Sequence, residues 1–238
     1  MKNKKILKIR PNEEFADNFI NIAPASKFLP EWYRNSPSKT SGQPGELVQG
    51  NPSATSSTYK KCSPFLDAIT SGYIVYLSAD IEITKQENNM PLIQWRTQRK
   101  IVTQHDPDQW EGLPCPEGYF GFVFKWHNQH VINTPEGYSM LFVKPQNRFD
   151  LPFETISGIV DTDKYNISVH FPFFIKNSFT GIIKAGTPIC QMIPIKRDSW
   201  EIEHLKYDKN LSIKNIENFK SVIKRSYKNL FWQRKEYR

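Results

Sequence analysis

Between residues 118 and 195, short runs of aromatic and β-branched residues alternate with turn signals at roughly 8–12-residue spacing. Runs of that length are too short for stable helices and suit strands on a pleated, half-buried surface. They predict strands over 119–126, 139–143, 156–160, 167–171, 180–183 and 188–195, with a turn at 127–130. The tetrad Pro-Glu-Gly-Tyr occurs at 116–119 and again at 135–138. Each copy predicts a tight turn in which Gly118 or Gly137 takes the positive φ that other residues resist. Many short strands joined by such turns indicate a mainly β fold, a β-sandwich or a barrel.

Upstream, residues 4–10 read as a first strand stopped by Pro11. Prolines 24, 30, 37 and 44 and glycines 42, 45 and 50 then break up the chain, with an aromatic anchor at 28–33 between them. The Ser/Thr/Gly/Pro-rich stretch 36–58 predicts a long loop, of the kind an arm gripping a neighbouring subunit would use. Structure resumes with a short helix or turn at 59–68 and strands at 72–77, 80–84 and 92–103. At the other end Ser212 is the expected N-cap of an amphipathic helix of about five turns. Ile213, Ile216, Phe219, Ile223, Tyr227 and Leu230 form its apolar stripe, which predicts docking on the domain or on another chain. The expected organisation is an extended arm (1–58), a β core (59–205) and a basic C-terminal helix (206–238).

Aromatic residues make up 13% of the chain, so a core can form although only 38% of residues are hydrophobic. The net charge of +8 is concentrated at the ends. Lys2, Lys4, Lys5, Lys8 and Arg10 open the chain, and Lys220, Lys224, Arg225, Lys228, Arg234, Lys235 and Arg238 close it. Basic termini suit contact with nucleic acid, while the middle is nearly balanced. Lysines interrupt the apolar residues near the start, and no window approaches the ~18 apolar residues of a membrane span, so the chain is expected to be neither secreted nor membrane-spanning. Cys62, Cys115 and Cys190 are odd in number and widely spaced, which predicts three reduced thiols in a cytoplasmic setting.

His127 and His130 in a turn and His170 on a later strand are the candidate metal ligands, as for an oxygenase-like barrel. No His-x-Asp or His-x-Glu pair accompanies them, and nucleophile-elbow, phosphate-loop and dinucleotide motifs are missing from the sequence. Asp161 and Asp163 flank a turn, where carboxylates commonly cap backbone N–H groups.

The segment Gly158-Ile159-Val160-Asp161-Thr162-Asp163-Lys164-Tyr165, followed by Gly186-Thr187-Pro188-Ile189-Cys190-Gln191, resembles the central motifs of the dUTPase and dCTP deaminase superfamily. The tetrad at 135–138 and the stretch 143–148 sit where that superfamily has its turn, strand and phosphate-binding loop. The resemblance implies that a barrel would be β-clip-like, and that the protein is a nucleotide hydrolase or binder, with Asp161 and Asp163 at a nucleoside pocket and Asp161 positioning the attacking water. Tyr165 would pack on the deoxyribose, Asn147, Arg148 and Gln191 would face phosphate, and magnesium would be the cofactor. The chain departs from that pattern: Lys164 is inserted before Tyr165, and Gln146-Asn147-Arg148 replaces Arg-Ser-Gly. An Ala-Gly-x-Asp motif and a Gly-rich C-terminal arm are also missing. In a strand a one-residue insertion turns the next side chain to the opposite face.

A second resemblance spans residues 59–200 and is to a family of uncharacterised bacterial and viral proteins. It rests on Lys61-Cys62-Ser63-Pro64, Gly118-Tyr119, Thr134-Pro135-Glu136-Gly137, Pro145-Gln146-Asn147, residues 158–163 and residues 186–190. It implies a bacteriophage-type product without an established activity. With no complete catalytic set, the expected function is a non-enzymatic, oligomeric structural or interaction module that needs no cofactor. Its partners would be further copies of itself or virion or host proteins, in the host cytoplasm or the virion. The divergent nucleotide hydrolase and the metal-dependent oxygenase-like barrel are the alternatives.

Overall fold

The computed structural model describes residues 4–12, 19–39, 58–221 and 226–238. Most of the expected loop (residues 40–57) and Ile223 of the expected apolar stripe lie outside them. The chain begins with β1 (Lys8–Pro11), β2 (Ile22–Pro24), α1 (Glu31–Asn35) and α2 (Ser63–Thr70). Then come β3 (Tyr73–Tyr76), β4 (Ile81–Lys85), β5 (Pro91–Trp95), β6 (Val102–Gln104), β7 (Phe124–Trp126) and β8 (His130–Asn133). They are followed by β9 (Tyr138–Val143), β10 (Phe153–Thr155), β11 (Gly158–Val160), β12 (Phe171–Ile175), β13 (Gly181–Ile183) and β14 (Pro188–Lys196). The tail carries α3 (Lys209–Ser221) and α4 (Ser226–Leu230).

Every pairing among the described residues is antiparallel. A five-stranded sheet runs β11-β9-β14-β3-β2 and a four-stranded one β10-β12-β7-β6, beside a three-stranded sheet β13-β4-β5 and the pair β1-β8. The result is a mixed α/β fold in which no sheet closes on itself, so the barrel form of the expectation does not hold. Side chains from the two larger sheets meet in the core. Within the four-stranded sheet Trp126 and Phe173 stack at 3.8 Å; between the sheets the rings of Phe142 and Phe171 lie 5.4 Å apart, and the Thr155 hydroxyl donates to the Ile189 carbonyl at 2.6 Å. Buried aromatic contacts of this kind are worth about 0.5–1.5 kcal/mol each beyond the area they remove from water.

Both Pro-Glu-Gly-Tyr tetrads are the tight turns their sequence predicts. Tyr119 N–H donates to Pro116 and Tyr138 N–H to Pro135, with φ of 81° at Gly118 and 79° at Gly137. The aromatic anchor is also in place: Tyr33 stacks on Phe65, and Trp32 donates to Asp150 at 3.2 Å.

Other expectations need correcting. The strand expected at 167–171 lies instead at β12, because Pro172 is tolerated there. Its carbonyl accepts from Ile156, just past the end of β10, so the missing N–H faces a side where the ladder has finished. The stretch 92–103 is not one strand but two, β5 and β6, in different sheets. The C-terminal helix starts earlier than expected: Asp208, not Ser212, caps α3 by accepting from Leu211 N–H at 3.0 Å. No described helix is long and apolar enough to cross a membrane.

Candidate functional site

β9 organises the polar residues that the sequence singles out. Its N-terminal end pairs with the end of β14, Tyr138 opposite Lys196, and Met140 lies opposite Val160 of β11. This register brings Asp161, Asp163, Ser139 and Arg197 together. Residues 161–165 form a compact turn: Lys164 and Tyr165 N–H both donate to the Asp161 carbonyl at 2.9 Å. Thr162 is the buried pivot, its hydroxyl 2.8 Å from that of Thr134. Because the backbone turns here, strand parity does not set the direction of Tyr165, and the inserted Lys164 does not simply flip it.

Asp163 accepts from Gly137 N–H at 3.0 Å and from both Arg197 guanidinium nitrogens, Nη1 at 2.9 Å and Nη2. The Arg197 hydrogen bonds, helped by Gly137, hold its carboxyl down at about 2. These direct partners shield it: its side chain is 2% accessible although it lies near the surface rather than deep in the core. Asp161 is different. Its Oδ1 accepts from Ser139 at 2.6 Å and from Arg197 at 3.3 Å, while the side chain stays 60% exposed. Asp163 caps a backbone N–H, that of Gly137, across the fold rather than within its own turn, while Asp161 meets the side chains of Ser139 and Arg197 instead.

Gln191 and Arg148 lie elsewhere. Gln191 is opposite Val143, at the far end of β9, so four residues, about 13 Å of strand, separate it from Ser139. Fully buried, it is fully bonded: Oε1 accepts from Gln146 N–H at 2.8 Å, and Nε2 donates to Ala68 at 2.9 Å and Ser71 at 2.7 Å. It therefore clasps the 145–148 turn to the C-terminal carbonyls of α2, which would otherwise lack partners. Asn147 holds that turn with φ of 58°, and Arg148 is engaged by Asp150 at 2.8 Å. A cleft beside Gln191, lined also by Phe28, Ile69, Pro145 and Arg148, encloses about 190 Å³ with its open mouth included. Nucleotide-sized ligands occupy pockets of about 300–1,000 Å³. The residues aligned with the hydrolase motifs thus form two separate groups, and the cleft at Gln191 and Arg148 is not lined by Asp161, Asp163 or Tyr165.

The histidines also divide. Phe171 pairs with Trp126, which sets His170 opposite His127, and the two rings are 4.5 Å apart. Thr103 Oγ1 lies 2.8 Å from His127 Nε2, and Asn128 N–H donates to His170 Nδ1 at 3.2 Å. Burial, then the neighbouring His170, Lys100 and Lys125, drive His127 down to about 4. Burial lowers His170 as well, followed by Lys125 and Lys100. His130 is buried on β8, and neither ring nitrogen has a hydrogen-bond partner within geometry; burial lowers it, weakly opposed by the Phe19 backbone nearby. Among the described residues no three His, Cys, Asp or Glu side chains are grouped as metal ligands. Cys62 and Cys115 are exposed, Cys190 is buried, and all three are free.

Arg197, Thr103 and Lys125 belong to these clusters, and sequence reasoning passed over them. Their placement depends on strand register, which no local pattern records. A comparison with protein-family models and with curated proteins finds no match, so the geometry alone carries the functional reading.

Proposed function

We propose that this protein is a self-associating structural or interaction module that exchanges its C-terminal arm between two copies. Residues 198–208 carry this reading. Beyond Arg197 the chain runs without regular structure, and Trp200, Ile202, Leu205 and Tyr207 are 80–89% exposed. Leu211, Ile213 and Ile216 of α3 are exposed as well, so the described residues of the helix's apolar face stand open to solvent. Burying such side chains is worth about 1.5–3 kcal/mol each, and a contiguous exposed set marks an interaction surface. After α4 the chain returns to the body, where Trp232 donates to Asp67 at 2.8 Å and Tyr237 packs edge-on against Tyr73. Arm and helix together form an excursion that is tied at both ends.

The acceptor is the outer edge of β11, which pairs only with β9 among the described residues and on which Ile159 is exposed. An unpaired edge strand takes an extended segment readily through main-chain hydrogen bonds. Arg197, where the arm leaves, contacts Asp161 at the end of that same strand. Donor and acceptor surfaces therefore lie side by side, and a two-fold axis between them gives a closed, reciprocal exchange. On this reading the two larger sheets form a β-sandwich that displays the edge, supported by the Phe142–Phe171 contact between them. Three free thiols support a reducing, intracellular setting.

Crosslinking tests the reading. On a Cys62→Ser/Cys115→Ser background, chains carrying Ile202→Cys are mixed with chains carrying Ile159→Cys and oxidised. The expected product is a disulfide-linked dimer containing one chain of each kind. A mixture that yields no such dimer overturns the arm exchange.

A further inference from the structure

The outer face of the four-stranded sheet carries a second polar cluster. Lys125 is the register partner of both Thr103 and Pro172, so these three share a face, opposite to the buried Phe124, Trp126, Phe171 and Phe173. His127 and His170 lie two residues from Lys125 and Pro172 and join the same face. Lys100, in the segment that leads into β6, acts electrostatically on both rings.

Three observations define what this face can hold. Among the described residues, Lys125, although half-buried, has no carboxylate partner, and Lys100 has none either. No carboxylate acts on either histidine. Glu154, further along this face opposite Phe174, is taken by Lys144 at 2.5 Å. His105, the other ring that feels Lys125, has its Nδ1 buried. Finally, the tautomer of His170 is fixed. Because Nδ1 accepts the Asn128 N–H, the proton of the neutral ring is on Nε2, which has no protein partner and reaches solvent. A metal ion needs a lone pair at that nitrogen, and supplying one would set an N–H on Nδ1 against the Asn128 N–H. His127 has only to let the Thr103 hydroxyl donate to Nε2, which leaves Nδ1–H facing outward.

We propose that His127, His170, Lys125 and Lys100 form a binding site for a phosphate-type oxyanion. Two imidazole N–H groups and the Lys125 ammonium supply converging donors, and Thr103 sets the ring of His127. Lys100 adds long-range attraction from the rim. Charge-assisted N–H···O bonds of this kind are shorter and stronger than neutral ones, and the partly buried setting screens them little.

Imidazole-selective nitrogen NMR on the full chain, titrated with inorganic phosphate at constant ionic strength, tests the site. The resonances of His127 and His170 should shift saturably while those of the exposed His204 do not. Bound phosphate should raise the titration midpoint of His127 from about 4 by about one pH unit or more. Lys125→Met should weaken phosphate binding roughly tenfold, and Lys125→Arg should retain it. Shifts reproduced by chloride at matched ionic strength, or unchanged in Lys125→Met, would overturn the site. Saturable zinc binding to the pair would overturn it too, by contradicting the tautomer of His170.

Discussion

Replacing Gln191 with alanine separates a structural clasp from a ligand contact. The substitution removes one acceptor and two donors, leaving the Gln146 N–H and the Ala68 and Ser71 carbonyls without their protein partner. A net hydrogen bond contributes about 0.5–1.5 kcal/mol, and an unsatisfied buried partner costs about 1–3 kcal/mol. The three partner residues are only partly buried, so water recovers some of that loss. The sum comes to about 3–4 kcal/mol, with part of it from the cavity left between β14 and α2. Against a total stability of about 5–15 kcal/mol this is a large fraction. At about 2–4 °C per kcal/mol, the melting temperature should fall by roughly 6–15 °C. Urea unfolding followed by tryptophan fluorescence measures it, with Gln191→Glu as a companion. Glutamate keeps the shape and the acceptor but sets a carboxylate against two carbonyls, so it should be nearly as damaging. A Gln191→Ala protein within about 1 kcal/mol of the parent would refute the clasp.

Three further outcomes follow from the same geometry. Asp163 is depressed in the folded protein, so its contribution is present above the unfolded value near 3.8 and is lost as pH falls toward about 2. Acid unfolding of Asp163→Asn should therefore lack the steep loss of stability that the parent shows in that window. Gly72 has φ of 68°, and a Cβ there would overlap the Met192 carbonyl oxygen, so Gly72→Ala should destabilise by at least about 2 kcal/mol in the same urea assay. A thiol reagent should label Cys62 and Cys115 in the native protein and Cys190 only after unfolding, because burial pushes the Cys190 thiol up and shields it.

Where a segment's own chemistry decided its conformation, it was legible in advance. The glycine turns at 116–119 and 135–138, the largely apolar and aromatic strand β9 and the long strand β14 are local in that sense. Pro172 misled the reading of β12, since its tolerance depends on where a neighbouring strand stops. The cap of α3 shifted from Ser212 to Asp208, because a downstream serine competes weakly with an aspartate that reaches the third N–H. Asp161, Asp163 and Gln191 stood out in the sequence as candidate hydrolase residues, but the protein partners that hold them were not legible. Arg197 meets Asp163 only because β14 is in one particular register with β9. The His127–His170 pair likewise arises from the β7–β12 register across 43 residues of sequence, while His130 is drawn into a different sheet by the pairing of β8 with β1.

Self-association through the arm is best tested by the molar mass of the full chain in solution. Light scattering should give at least twice the chain's 27.8 kDa for the parent protein. The variant Ile202→Asp/Leu205→Asp should give 27.8 kDa with its fold intact, since neither side chain is covered within its own subunit. A mass of 27.8 kDa for both proteins would contradict the account.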